Sequence, residues 1–341
     1  MPLSLKTPKA KLVAVLLATT LGLSAGVLVV AMNGKEVPRP NTQATSTQAP
    51  TTPAPVATVR VLAHSPLTGL TGTPINRVIA VKVNNTGPEN AGGAPRSDLL
   101  QRGIGSADIV VEQLVEGGLT RLIAMYQSVM PTKVGPVRSL RATDSYVVLP
   151  VRGLLLSSGG SGLEVRTLKA RGVDFRTGGA GYGRLSSSVF GEVVDTKTLR
   201  QPYLKVPDLL TFGRPNLSKS KSVSTFTIRF SSMTVSFTYR NGIYKREPDL
   251  AQVRFPATNV LVLRTPVRSL FVDQHGAKVP EEVLLGSGEA ILYTHGKVIT
   301  GQWHKPSQAS SIKTTFAVPE GKTAIDGVGM AQPPLRPLAA C

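Results

Sequence analysis

Apolar positions along this chain fall into three regimes. Leu12 to Met32 reads LVAVLLATTLGLSAGVLVVAM, an uncharged apolar run with no polar face. A helix of that length matches a bilayer core of about 30 Å, so the run predicts a transmembrane anchor over residues 12–32. Lys6, Lys9 and Lys11 precede it, whereas Lys35 and Arg39 on the far side are accompanied by Glu36. That asymmetry places residues 1–11 in the cytoplasm and the body outside. A cleaved signal peptide, with Val29 and Ala31 at the cleavage positions, is the competing expectation, and it exports the body equally. Residues 33–60, dominated by Pro, Thr, Ala and Gln, offer almost nothing large to bury and predict a disordered stalk.

From residue 61 the pattern turns globular. Val78 to Val83, Ile109 to Val115, Leu122 to Gln127 and Leu154 to Ser157 are strand candidates, the middle two joined by a turn at Glu116-Gly117-Gly118. Ser97 caps an expected short helix to Gln101, and a second helix is expected after Gly162, ending near Ala170. Beyond the polar stretch Asn216 to Ser224 strands dominate: Thr225 to Phe230, Thr234 to Arg240, Ile243 to Arg246, Val260 to Leu263, Leu270 to Asp273, Ala290 to Thr294 and Val298 to Trp303. Asn241-Gly242 and His295-Gly296 are expected hairpin turns, because such residues tolerate positive φ. The expected fold is therefore α+β: a mixed α/β domain over residues 61–215, then a smaller β-rich domain over 225–335.

Composition narrows the chemistry. Lys+Arg 39 against Asp+Glu 20 gives a formal charge of +19. Residues 1–60 hold six basic residues and one acidic, so most of the excess belongs to the folded part. An anionic partner is expected. Basic residues are scattered and aromatics are only 5%, which ranks nucleic acid below envelope polymers. The single Cys, Cys341, excludes an intramolecular disulfide framework, and four His without His-Glu-x-x-His spacing leave no metal motif. No cofactor is expected.

Four stretches in order carry a resemblance: Ser65-Pro66-Leu67-Thr68-Gly69-Leu70; Asn84-Asn85; Ala107 to Glu112 running into Glu116 to Arg121; and Gly135-Pro136-Val137-Arg138-Ser139 with Arg141. Together with Ser158-Gly159-Gly160 they make the chain resemble the YerB-like lipoprotein family, domain of unknown function 3048. The resemblance spans most of residues 65–330 and implies a mixed N-terminal domain, a smaller C-terminal domain and an extracytoplasmic address. It implies no reaction. Three departures stand out: no N-terminal lipobox, GRLSSSVFGEV at 183–193 in place of an Ala-Pro-His-Asn-Leu-Tyr stretch, and no tryptophan after the last glycines, although Gly301-Gln302-Trp303 matches the family's Gly-x-Trp element.

The densest polar constellation is Asp108, Glu112, Glu116, Arg121, Arg138, Arg141 and Asp144, set among Val, Leu and Ile. Guanidinium forks suit carboxylate, sulfate or phosphate groups, so Arg121, Arg138 and Arg141 are candidate anion ligands, with Glu112, Asp144 and the turn Ser158-Gly159-Gly160 beside them. The same acids and arginines can instead pair with one another and close the domain without a ligand. A catalytic version uses Glu112 with Asp108 or Glu116 as an acid–base pair on a glycan. His295 and His304, beside Trp303, are weaker ligand candidates. The reading is an extracytoplasmic binding or scaffolding module for an anionic envelope polymer or an envelope protein; the alternative is a metal-independent hydrolase or transferase acting on cell-wall glycan.

Overall fold

The computed structural model describes residues 25–32, 64–72, 74, 76–85, 100–185, 191–213, 215–247, 256–273 and 276–316. Residues 1–24, the stretch 33–63 and the tail 317–341 lie outside these, and with them fall the expected cytoplasmic segment, the stalk and the first part of the expected anchor. Among the described residues no helix is long and apolar enough to cross a membrane.

The β-branched runs of the first half do form strands: β1 (Ala25–Met32), β2 (Ile79–Asn84), β3 (Ile109–Leu114), β4 (Thr120–Tyr126), β5 (Leu154–Leu156), β6 (Asp174–Arg176), β7 (Tyr182–Arg184) and β8 (Glu192–Val194). Among the described residues helix is confined to α1 (Ser145–Val148), α2 (Gly162–Ala170) and single 3₁₀ turns such as Glu116–Gly118. Ser161 starts α2 with a reciprocal cap: its hydroxyl accepts from the Glu164 N–H, and the Glu164 carboxylate accepts from the Ser161 N–H. The second half contributes β9 (Lys221–Ser222), β10 (Thr225–Arg229), β11 (Thr234–Arg240), β12 (Ile243–Glu247), β13 (Pro256–Ala257), β14 (Asn259–Val272), β15 (Lys278–Glu282), β16 (Gly286–Thr294), β17 (Lys297–Lys305) and β18 (Lys313–Phe316). Both expected hairpin turns occur, with φ of 52° and 82° at Asn241-Gly242 and 50° and 69° at His295-Gly296.

These strands assemble into a twelve-stranded sheet of order β18-β17-β16-β14-β1-β3-β4-β2-β5-β6, with β15 on β14 and β9 on β17. Pairing is antiparallel except at β2–β5 and β5–β6; α2 is the crossover between β5 and β6, and the chain from β2 to β5 passes through β3, β4 and α1. A four-stranded sheet, β10-β11-β12-β13, lies over one face. Side-chain alternation divides the core accordingly. Ile79, Val81, Val110 and Leu122 meet Phe226, Phe237 and Tyr244 of the small sheet. Ala80, Val111, Ile123 and Met125 on the opposite face pack in a cluster with Tyr146 of α1, Leu168 of α2 and Trp303 of β17.

Three expectations are corrected. The first half is not evenly mixed but mostly sheet, because its helices are only four and nine residues long; two-domain organisation remains. Residues 25–32, expected as the end of a helix, form β1, antiparallel to both β3 and β14. The reason is local and tertiary together: Val27, Val29 and Val30 favour extended backbone, and two facing strand edges supply ladder partners, β14 along the whole strand and β3 along Val29 to Met32. The expected helix at Ser97 to Gln101 is not formed at Leu100 and Gln101, and residues 97–99 lie outside the described part.

Candidate functional site

The polar constellation of residues 108–144 is dealt out to both faces of the central sheet. Glu112 points toward the small sheet, where the fully buried Arg246 of β12 donates Nη2–H to its Oε1 at 2.9 Å and Nε–H to Oε2 at 3.2 Å. Asn85 and the Thr120 hydroxyl donate to the same carboxylate at 2.8 and 2.7 Å. Glu112 is thus a clasp between the two halves of the chain.

On the opposite face Lys82, the one charged residue of β2, reaches Gln113 Oε1 at 2.7 Å and Asp144 Oδ1 at 2.5 Å. Both Lys82 and Asp144 are wholly buried. Burial pulls the Lys82 ammonium below its ordinary pKa, with Asp144 opposing. Asp144 also accepts the Arg141 backbone N–H at 2.8 Å, which fixes the turn at residues 142–144. Nearby, Glu282 of β15 is buried with neither carboxyl oxygen in a well-formed hydrogen bond. Its pKa is raised well above 4.5 by that burial, only partly offset by the Leu114 amide and the Lys82 charge. Asp108 is equally enclosed: the N–H groups of Gln127 and Ser128 donate to it at 2.6 and 2.9 Å, and burial nevertheless raises its pKa.

The remaining charges gather at an open edge. Arg141 donates from Nη2 to Glu116 at 2.7 Å and lies 3.0 Å through Nε from Glu164. These three, with Ser139 and Ser161, line a cleft of about 440 Å³ that is also lined by Phe271, Val272, Asp273 and Val279 of the β14–β15 hairpin. The two carboxylates respond differently. Burial acts to raise both, but Arg141 outweighs it at Glu116 and holds that group below its ordinary value, whereas Glu164 stays raised. Arg121, partly buried, donates Nη1–H to the Ser139 carbonyl at 3.2 Å. Burial, and then the charges of Arg141 and Arg138, lower its pKa to about 10. Arg138 donates to the Val137 carbonyl at 2.9 Å.

The structure therefore brings Arg121, Arg138, Arg141 and Glu116 together and keeps Glu112 and Asp108 apart from them, each held by its own partners, while Asp144 meets the group at the Arg141 backbone N–H and turns its other oxygen to Lys82. Ser158, Gly159 and Gly160 turn against this edge: Ser158 N–H donates to Arg138 O and Gly159 O accepts from Leu140 N–H. A side chain at Gly160 would come within 2.6 Å of Leu140, so the turn needs glycine for close packing. His295 and His304 lie elsewhere, against the hydroxyls of Thr294 and Ser287. Among the described residues no group of His, Cys, Asp and Glu could hold a metal. Sequence reasoning passed over Glu164, Lys82, Arg246 and Glu282. Glu164 was legible as the fourth residue of Ser161-x-x-Glu164, and Lys82 as a charge inside the otherwise apolar run Val78 to Val83; Arg246 and Glu282 carry no such signal.

Comparison with known proteins agrees with this architecture. Residues 67–210 match the N-terminal domain described as "Protein of unknown function (DUF3048)", and residues 221–325 match its C-terminal domain. "Putative lipoprotein YerB" of Bacillus subtilis (strain 168) is 46% identical over 80 residues, a stretch spanning 23% of this chain and 22% of that protein. The crystal structure of YerB protein from Bacillus subtilis superposes with a TM-score of 0.55 at 21% identity, covering 78% of this chain and 93% of that one, a likeness of fold. With both domain descriptions matched in order over most of its length, the chain belongs to the DUF3048 family of proteins of unknown function, the family of YerB.

Proposed function

We propose that the protein is an extracytoplasmic, membrane-anchored binding module whose cleft beside Arg121, Arg138 and Arg141 holds an anionic cell-envelope polymer. The lipoprotein description of the Bacillus relative and the apolar run at residues 12–32 support the address. The observation that carries the ligand class is Arg121. Its guanidinium is partly buried, and the charges of Arg141 and Arg138 act on it beside the carboxylates of Glu116 and Glu164. A phosphate or carboxylate group relieves the repulsion of Arg121 by Arg141 and Arg138, and the apolar residues Phe271, Val272 and Val279 accept the less polar face of a sugar ring. Co-sedimentation with purified wall polymer tests this: Arg121→Gln should lower retention at least about tenfold, one charge-assisted contact being worth roughly 1.5–3 kcal/mol. Retention equal to that of the unaltered protein overturns it.

A second reading, a hydrolase or transferase acting on wall glycan, is favoured by one observation: Glu116 and Glu164 flank the same cleft with pKa values pushed in opposite directions. Glu164 would be the acid and Glu116 the base. Release of soluble glycan from purified wall, abolished by Glu164→Gln, would establish it; binding without product would dismiss it.

A further inference from the structure

The place of β1 in the central sheet is unlike that of any neighbouring strand. Ala25 to Met32 pair residue by residue with Pro266 back to Asn259 of β14, and Val29 to Met32 pair with Glu112 back to Ile109 of β3. β1 is antiparallel to both, so β3 and β14 run parallel to each other with one strand between them, about 9.5 Å apart. Neither flanking strand is joined to β1 by a hairpin. Its connection onward runs through residues 33–63, which reach about 100 Å when extended, so withdrawing β1 need not disturb the body.

Residues 25–32 also end the apolar run, and they cannot serve both places. Without them, a helix of the thirteen remaining residues of the run would span about 20 Å, short of a bilayer core of about 30 Å. Whenever the run crosses a membrane, or is cleaved as a signal, the sheet position empties. What is then uncovered is not a polar edge. Ile109, Val110 and Val111 on one side and Val260, Leu261, Val262 and Leu263 on the other are buried, with apolar residues toward both faces of the sheet. Two unpaired main-chain edges flanked by such residues are a template for strand addition.

We propose that the position between β3 and β14 is an exchangeable strand-acceptor slot, which takes an extended, uncharged, proline-free apolar segment of a partner envelope polypeptide when residues 25–32 are held in the membrane. Residues 25–32, AGVLVVAM, are the occupant that closes the slot in this structure, and their sequence is the template for the ligand. The partner strand runs antiparallel to both neighbours, pairing with residues 109–112 and 259–266. This site is separate from the arginine cleft, and its test does not read anion binding.

The test uses the full chain in native membrane vesicles, in a Cys341→Ser background. The probe is a synthetic AGVLVVAM peptide with flanking lysines and cysteine at the position equivalent to Val30, the register partner of Val111 and Leu261. It should form a disulfide with Val111→Cys and with Leu261→Cys, at least about tenfold more than a peptide carrying proline in the middle, which loses the ladder. In the same membranes a Val30→Cys, Val111→Cys chain should form little internal disulfide. Complete internal disulfide with the peptide excluded makes β1 a permanent strand and overturns the proposal. A disulfide between two copies overturns it in favour of strand exchange between them, and no disulfide of any kind overturns it outright. Hydrogen exchange on the unaltered chain gives a readout free of substitutions: amides of residues 109–112 and 259–266 should slow on adding the peptide, and unchanged exchange counts against the slot.

Discussion

Glu112 and Glu116 stand four residues apart in one sequence segment, and tertiary structure gives them opposite fates. Glu112 is sealed between two sheets, its carboxylate saturated by Arg246, Asn85 and Thr120. Glu116 sits past the end of β3, in a turn at the rim of an open cleft, sharing Arg141 with Glu164. Both are acid–arginine pairs of short distance. What separates a structural clasp from a candidate ligand site is which side of the sheet covers the pair: the small sheet closes over Glu112, whereas the β14–β15 hairpin leaves Glu116 facing a groove.

The contrast is broken most severely at the clasp. Glu112→Gln or Arg246→Gln leaves one buried charge without its partner and is expected to cost about 3–5 kcal/mol in urea unfolding. The pair replaced together by Glu112→Gln and Arg246→Met should recover much of that loss. Trp303 is the only tryptophan and is fully buried, so its fluorescence reports unfolding of the C-terminal strands directly. A loss no larger than that at the cleft would make the two sites equivalent.

At the cleft, Arg141→Gln removes charge-assisted bonds that water can partly replace, and about 1–3 kcal/mol is expected from the same measurement. Glu282 supplies a pH test of burial on the sealed side. Its folded pKa is raised above 4.5, so the folded state binds the extra proton. Stability from this group is full below about 4.5 and falls as pH rises toward the folded value, by about 1.4 kcal/mol for each pH unit crossed between the two. Glu282→Gln should therefore leave stability at pH 4 nearly unchanged, raise it at neutral pH and flatten the profile between. An unaltered profile would mean the carboxyl is solvated.

The smallest effect on stability belongs to Arg121. Set among charges of both signs, it contributes little to folding, so Arg121→Gln should shift stability by no more than about 0.5 kcal/mol while retention on wall polymer falls. A variant that unfolds early would place Arg121 with the clasp instead of the cleft.

Alternating and β-branched patterns were sufficient to place β2, β3, β4, β10, β11, β12, β16 and β17, because half-buried strands repeat with period two and their turns require Gly or Asn at positive φ. Two expected pieces, Val260 to Leu263 and Leu270 to Asp273, are one strand, β14, since Arg264, Pro266 and Arg268 interrupt the apolar pattern without interrupting the ladder. The Arg121, Arg138, Arg141 group was legible as a constellation, since its members lie close along the chain. Its division into clasp, buried lysine pair and open cleft was not. Arg246 lies 134 positions from Glu112, and Glu281 and Glu282 reach the first half only through β15. Local sequence determines which residues prefer extended backbone, and which charges are available. Which charges are sealed, which face a groove, and whether residues 25–32 lie in a sheet depend on strands brought together from distant parts of the chain, where burial decides the energy of each charge and two facing edges decide where an apolar segment can pair.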